Sequence, residues 1–517
     1  MKASSQVFCF FIMALLFFQS CREEYVNPNL LITIDSFSDL KDDNITIDSR
    51  LVNRCLNKLV ASDKGTMGTD KFVKSYYGNR SPLLWVGRNG VDYRSDTLLV
   101  YIDLAKNSGL SREMFRYDQI VRDLKRIRNL ELGVDSVSEV NKVIARLEYN
   151  LTRAYLKYTS GQYYGYVNPN HLLNKLCVKD SDSLHVTYFH LFDVPMKHAS
   201  VDFYKKALSK LRNDSICQFL HEVQPVGKMF GLLCEKLNDP TISQTERKTV
   251  LCNIERCRWR LRDYPENHKK YVLVNVPAFR LYAVDHDSVL TMRIGCGTND
   301  TKTPLLTSRI NRMEINPVWV VPKSIAKNIV YRQGYLRKEH MYIMDRKRGK
   351  LDVDYASYDK VMSGEQYIVQ EGGAGNSLGR IIFRFPNNHA VYLHDTSTPW
   401  FFEREHRAVS HGCVRVQKPF ELAVFLLKEK NEEVVEKIKY SMTTDVNNYD
   451  ESDGVDNSQI DQEKLIKHVE VNPEIPLFIT YFTAYPNSSG QLFFYKDVYG
   501  YDKALYNELN NYVDNIQ

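Results

Sequence analysis

From about residue 46 to residue 265, apolar side chains recur every three or four positions, as at Leu147, Leu151, Ala154, Tyr155 and Tyr158. That spacing predicts a mainly helical domain, punctuated at Gly109 and over Gly165 to Pro169. At Tyr271 the period changes. Tyr271-Val-Leu-Val-Asn-Val276 and Phe279-Arg-Leu-Tyr-Ala-Val284 are short β-branched and aromatic runs broken at Pro277, and Val289 to Gly295 continues in kind. Such runs predict a β-rich domain over about 266–440. Residues 445 to 464 hold seven acidic side chains against one Lys. The stretch 441–470 therefore reads as a solvated acidic loop inserted into that domain. Beyond it, Pro476 to Ala484 and Leu492 to Tyr495 are expected to return to the sheet as two strands, so that 471–517 completes the domain. The predicted fold class is α+β multidomain, a helical scaffold followed by a β-rich domain.

Before residue 46 the pattern is different. A single basic residue, Lys2, precedes an apolar run from Val7 to Phe18. As a helix this run rises about 18 Å, short of the roughly 30 Å of a bilayer's hydrocarbon. It reads as a signal peptide over 1–20 rather than a membrane span. Phe17-Phe18-Gln19-Ser20-Cys21 resembles a bacterial lipobox, with Phe18 where Leu is more usual. That resemblance implies a lipid-anchored linker over 21–45, acylation at Cys21, a membrane partner through that anchor and a location in the cell envelope facing the periplasm.

Composition adds exclusions. The 517 residues are 43% hydrophobic and 26% charged, as in globular proteins. A net charge of +6 over this length gives no reason to expect nucleic acid as a partner. Ten cysteines suggest disulfides until they are placed. Cys9 falls in the signal and Cys21 in the lipobox. Cys55, Cys177, Cys217, Cys234, Cys252, Cys257, Cys296 and Cys413 show no CxxC spacing. Seven of these eight lie in apolar or mixed stretches and read as small core residues. Cys413 does not.

Val391-Tyr-Leu-His394-Asp395 is followed, after fourteen residues, by Ser410-His411-Gly412-Cys413-Val414-Arg415-Val416. A thiol attacks carbonyls as thiolate, and a nearby His can take its proton and later return it to a leaving amine. Gly412 allows a tight turn that aims successive backbone N–H groups at an oxyanion. The residues alone leave three readings open: a nucleophilic Cys413, a buried structural Cys, or a zinc site from His394, His411 and Cys413. Glu371 to Gly379 lacks the Gly-Lys-Ser/Thr ending of a phosphate loop and reads as a turn. His389 and His406 are isolated.

The His394 to Arg415 pattern resembles YkuD-type L,D-transpeptidase domains, and its details resemble their YcbB-like branch. Those details are Tyr392 to Thr396, Phe402 to Arg407, Asn316 to Ala326, Val274 to Tyr282 and Asn376 to Arg380. Upstream, Leu83-Leu-Trp85, Gly109-Leu110, Leu151 to Ala154 and Asn253 to Trp259 resemble that branch's helical scaffold. The resemblance implies two-step acyl transfer in the cell wall without a cofactor. Cys413 attacks a tetrapeptide stem, D-Ala leaves, and an amine of a second stem resolves the thioester into a 3→3 cross-link. Donor and acceptor stems are the implied partners, and carbapenem-type inhibitors are expected to acylate Cys413. His394 is implied as the base, oriented through a backbone carbonyl for which Asp395 is the nearest candidate. His411 ranks second as base. The N–H groups of Gly412 and Cys413 are implied as the oxyanion hole. Ser410 and Arg415 hold the loop, with a substrate carboxylate as the other reading for Arg415. Tyr392 and Arg407 are expected in the groove.

Two departures stand out. Leu237-Asn-Asp-Pro240 runs almost directly into Asn253-Ile-Glu-Arg256, leaving no room for the wall-binding module common in that branch. Cys257 stands where an aromatic residue is usual. Residues 322–368 resemble the branch's capping insertion. An L,D-carboxypeptidase using the same Cys413, and a non-catalytic wall-binding scaffold lipoprotein, are the alternative functions.

Overall fold

The computed structural model describes residues 47–87, 90–129, 131–132, 139–175, 190–428, 431–444, 460–487 and 489–514. The expected signal peptide, linker, Cys21 and Cys177, and residues 445–459 of the expected acidic loop, lie outside them.

The scaffold is organised on α1 (Val140–Tyr164), a helix with nearly all of its residues buried. Amphipathic neighbours such as Ser49–Ser62 and Tyr117–Arg128 lay their apolar faces against it. Polar groups on α1 also clamp the chain. The Glu148 carboxylate accepts the N–H groups of Leu84, Trp85 and Val86 at 2.5, 3.0 and 3.1 Å and the Tyr77 hydroxyl at 2.7 Å. One helical turn on, Thr152 accepts the Trp85 Nε1–H at 3.0 Å. Burial pushes the Glu148 carboxyl up, and these four donors oppose the shift by favouring the carboxylate. The helix ends at Gly165, whose φ of +88° suits glycine, and where a Cβ would lie 2.8 Å from Trp259 Cδ1.

Helix α2 (Gln244–Arg258) links scaffold to sheet. Its first turn carries a reciprocal Ser243–Glu246 capping box. From its last turn Glu255 takes the N–H groups of Tyr166 and Val167 at 2.5 and 2.8 Å, and Arg258 reaches Ser108 Oγ at 2.8 Å.

The β-rich part is a closed barrel. Its strands are β1 (Lys270–Asn275), β2 (Arg280–Asp285), β3 (Ser288–Gly297), β4 (Leu305–Ile315), β5 (Ile381–Arg384), β6 (Leu393–His394), β7 (Ala408–Ser410), β8 (Val414–Val416) and β9 (His468–Thr480). Around the barrel the order is β5, β6, β8, β3, β2, β1, β9, β4, and β4 pairs back to β5. The β6–β8 and β9–β1 pairs are parallel, the rest antiparallel. β7 runs parallel to the end of β3. Alternate residues fill the interior: Val272 and Val274, Leu281 and Ala283, Met292 and Ile294, Leu477 and Ile479. Phe192–Asp193, from within the stretch predicted as helical scaffold, adds a short parallel strand at the start of β4.

Between β4 and β5 the chain leaves the barrel and builds a separate small unit. Its four-stranded antiparallel sheet runs Gly349–Leu351, Met341–Asp345, Gln366–Gln370, Trp319–Val320, with three short helices. Val321, Ala326, Val330, Leu336, Ile343 and Ile368 give it a core of its own. A solvated insertion would have no such core.

Two expectations are corrected here. The region read as loop is structured at both ends, because α3 (Glu432–Thr443) extends into it and β9 begins at His468. Leu492–Phe494 does not return to the main sheet. It pairs with Ala484–Pro486 in a separate two-stranded ribbon. The barrel is already closed and offers no free edge there, and Leu492 and Phe494 pack instead with Leu233, Val250 and Ile254 of the helices. The chain then forms α4 (Tyr501–Leu509), where Asp502 meets Arg256 of α2 at 2.6 Å, and Tyr512 accepts the Ser111 N–H at 2.9 Å. No helix among the described residues is long and apolar enough to cross a membrane.

Candidate active site

The parallel register of β6 and β8 assembles the chemistry. Leu393 pairs with Val414 and His394 with Arg415. Leu393 and Val414 point into the barrel core, so strand alternation turns His394 and Arg415 to the outer face. One step back, Val414 N–H donates to the Tyr392 carbonyl at 3.1 Å, which extends the ladder and places Tyr392 and Cys413 on that same face. Tyr392, His394, Cys413 and Arg415 thus form one outward patch, with the Tyr392 ring edge-on to His394 at 5.9 Å. Two sequence segments separated by fourteen residues, ending at Asp395 and beginning at Ser410, meet only because the strands are neighbours.

His394 is buried. Burial first, and the charge of Arg415 second, depress its pKa to about 3, against the favourable influence of the Asp395 and Leu378 backbones. Its Nδ1 makes no well-aligned hydrogen bond among the described residues. The Cys413 thiol is pushed up to about 11 by burial, with the Tyr392 backbone and the charges of Arg415 and Arg384 pulling the other way. Both groups are therefore neutral around pH 7, a thiol beside an imidazole rather than an ion pair.

The loop that presents Cys413 is wired through Ser410. Its hydroxyl accepts the Gly412 N–H at 3.1 Å and donates to the Cys413 carbonyl at 2.6 Å. Gly412 sits at φ +117°, where a side chain is strained although a Cβ would find room, its nearest neighbour being 3.5 Å away. The Thr298–Thr303 loop braces the turn from behind. Thr301 Oγ1 donates to the Ser410 carbonyl and Thr303 Oγ1 to the Gly412 carbonyl, both at 2.8 Å. The Tyr499 hydroxyl, from the C-terminal segment, accepts the Thr303 N–H at 3.1 Å and donates to the Gly297 carbonyl at 2.8 Å.

Several site residues differ from expectation. The Gly412 N–H is engaged by Ser410, so of the two expected oxyanion donors only the Cys413 N–H is without a hydrogen bond among the described residues. Arg407, expected in the groove, is engaged with the backbone instead. It is buried, and its guanidinium donates to the carbonyls of Ile294 at 3.1 Å, Phe279 at 3.2 Å and Arg404, tying β3 to the β7 approach. The Arg415 side chain makes no hydrogen bond within the loop among the described residues, which leaves loop-holding to Ser410, Thr301 and Thr303. It lies over the Phe401 ring at 5.4 Å with Nε buried and unpartnered. Asp395 turns its carboxylate to the Arg380 N–H at 2.8 Å, while Arg380 reaches Asn316 Oδ1 at 3.1 Å. These residues of the quoted Asn376–Arg380 and Asn316 motifs interlock behind His394. His411 is exposed and outside the patch. Among the described residues no three His, Cys, Asp or Glu side chains gather at metal-ligand spacing.

Residues that sequence reasoning missed include the threonine brace, Tyr499, and Arg384 with Glu314. Arg384 ends β5 and stands 5.3 Å over the Tyr392 ring, its Nε bonded to Glu314 at 2.7 Å. Only the barrel pairing brings these next to Cys413.

Of the other cysteines, Cys252 and Cys296 are buried, and burial pushes the thiols of Cys296 and half-buried Cys257 up to about 12. Cys55, Cys217 and Cys234 are half-buried, Cys55 and Cys234 packed against hydrophobic clusters of the helices. His389 pairs with Asp193 at 3.4 Å and His406 lies edge-on to Phe279 at 5.7 Å, both apart from the patch.

Comparison with known proteins agrees with this geometry. The family model of the YkuD L,D-transpeptidase catalytic domain matches residues 269–436, and that of a Scaffold domain matches residues 71–237. A Haemophilus influenzae protein named "Putative L,D-transpeptidase" is 26% identical over 311 residues, 59% of this chain and 59% of its own length. The matched stretch thus spans about three fifths of that relative. Together these findings make the chain similar to the L,D-transpeptidase catalytic domain of the YkuD family over residues 269–436 and to a Scaffold domain over residues 71–237.

Proposed function

We propose that this protein is a peptidoglycan L,D-transpeptidase of the YcbB-like branch that forms 3→3 cross-links through a Cys413 thioester. The observation that carries the reading is the single outward patch on β6 and β8, within a YkuD domain, that holds a thiol beside a neutral imidazole. Cys413 Sγ attacks the carbonyl of the third stem residue while His394 takes the thiol proton. The Cys413 N–H stabilises the oxyanion. His394 returns the proton to the departing D-Ala amine, then deprotonates the acceptor amine that cleaves the thioester. Acylation of Cys21, attachment to the envelope membrane and a periplasm-facing position belong to the same proposal and rest on the sequence of residues 1–24 alone.

Incubation with tetrapeptide muropeptides, followed by mass spectrometry, tests the proposal. Dimers lacking D-Ala are expected, together with a carbapenem adduct on Cys413 in the intact mass. Tripeptide monomers alone would make the enzyme an L,D-carboxypeptidase. Identical product patterns from wild type and Cys413→Ala would overturn both enzymatic readings and leave a wall-binding protein.

A further inference from the structure

We infer that Arg384 is a specificity-determining residue that binds a carboxylate of the donor peptide beside Cys413. The inference rests on the function proposed above and adds a residue to it. Arg384 sits at the end of β5, paired with Arg312 on β4. Its guanidinium lies 5.3 Å over Tyr392, the neighbour of the nucleophile across the β6–β8 ladder, and its charge is among those that favour the Cys413 thiolate. Nε is fixed by Glu314 at 2.7 Å. Both Nη groups lack hydrogen-bond partners among the described residues, and the side chain is 40% exposed. Glu314 is shared, since Arg312 also holds it at 2.8 Å. Two guanidiniums against one carboxylate leave an excess positive charge here. An anchored guanidinium with one edge open to solvent is suited to bidentate capture of a carboxylate. A tetrapeptide stem offers two candidates, the side-chain carboxylate of a diacid third residue and the terminal carboxylate of the leaving residue. The chemistry is the same for both.

The test compares a tetrapeptide stem with two single amides, one at each carboxylate. Affinity is measured in Cys413→Ala, which needs no turnover. One amide is expected to bind about tenfold or more weakly than the free acid, the scale of a charge-assisted pair. Cys413→Ala with Arg384→Gln is expected to lose that preference, and Cys413→Ala with Arg384→Lys to keep part of it. Glu314 keeps Arg312 in the Gln variant, so no buried charge is stranded. The amide that loses affinity identifies the carboxylate. A preference retained in the Gln variant, or absent before the substitution, would overturn the inference. Wild type that turns over none of the three donors would sink the proposed function instead, while the binding comparison still decides the role of Arg384.

Discussion

Under the proposed function, a thiol held near pKa 11 and an imidazole held near 3 exchange their proton at the moment of attack, because neither is charged in the resting site. Raising the thiol from 9.0 to about 11 cuts the thiolate fraction about a hundredfold, while the more basic thiolate regains about tenfold in nucleophilicity. Cys413 is thus expected to react with iodoacetamide at pH 7 about tenfold more slowly than an exposed cysteine. Acyl-enzyme formation is expected to be flat from pH 5 to 9, and a tenfold rise per pH unit in stopped-flow mass measurements would instead mean a preformed thiolate attacks. The same burial affects stability. The folded pKa of His394 lies below its ordinary 6.5, so between pH 6.5 and about 3 the unfolded chain binds a proton that the folded chain refuses. Stability is lost as pH falls through that window. Denaturant titrations should show His394→Gln gaining about 3 kcal/mol relative to wild type on going from pH 7 to pH 4. His394→Ala is expected to abolish thioester formation and exposed His411→Ser to change it little. Equal losses would return His411 to contention. The sequence singled out Cys413 and His394 through the resemblance of the His394–Arg415 pattern, and the β6–β8 register places the two on one face. The sequence could not show that the N–H of Gly412 was already engaged, since that depends on where the Ser410 hydroxyl rotates.

At the scale of elements, the turn Ser410–Cys413 is positioned by parts far from it in the chain. Ser410→Ala removes the two hydrogen bonds that the hydroxyl makes within the turn and frees the Gly412 N–H. A fall in the rate of thioester formation of about ten- to a hundredfold is expected, with the melting temperature moving by only a few degrees. A large loss of stability at unchanged rate would mean that the hydroxyl holds the fold and not the geometry. The helical and strand periods were readable because burial imposes them, at 3.6 in α1 and 2 in the barrel strands. The fate of Leu492–Phe494 was not readable. An apolar aromatic run reads the same in a barrel and in a ribbon packed on helices, and only the absence of a free barrel edge decides between them. The insertion between β4 and β5 was visible through the resemblance of residues 322–368 to a capping insertion, whereas its separate core rests on residues such as Leu336, Ile343 and Ile368 that polar neighbours dilute in the sequence.

For the whole molecule, the junctions between barrel and scaffold among the described residues include the Phe192–Asp193 strand, α2, and the return through α4 to Ser111. The Arg256–Asp502 pair at the centre of this junction is nearly buried, with Thr483 also bonded to Asp502 at 2.6 Å. Removing one partner strands the other charge, and Asp502→Ala is expected to cost about 3–5 kcal/mol in equilibrium unfolding. A cost below 1 kcal/mol would mean that solvent reaches the pair. The sequence signature of the catalytic domain stops at residue 436, but β9, at His468–Thr480, fills the gap between β1 and β4. A chain ended at residue 467 is therefore expected to expose two strand edges and elute as aggregate in size-exclusion chromatography. A folded monomer there would show that β9 is dispensable.

That last strand also sets an order of events during synthesis. Cys413, His394 and the Ser410 turn are all made before His468 is reached, yet the barrel that aligns them has no closing strand until residue 480, and Tyr499 braces the turn later still. A nascent chain thus carries Cys413 for more than eighty residues before the last of these braces has been made. The geometry around Cys413 comes into being only once the chain has passed Tyr499.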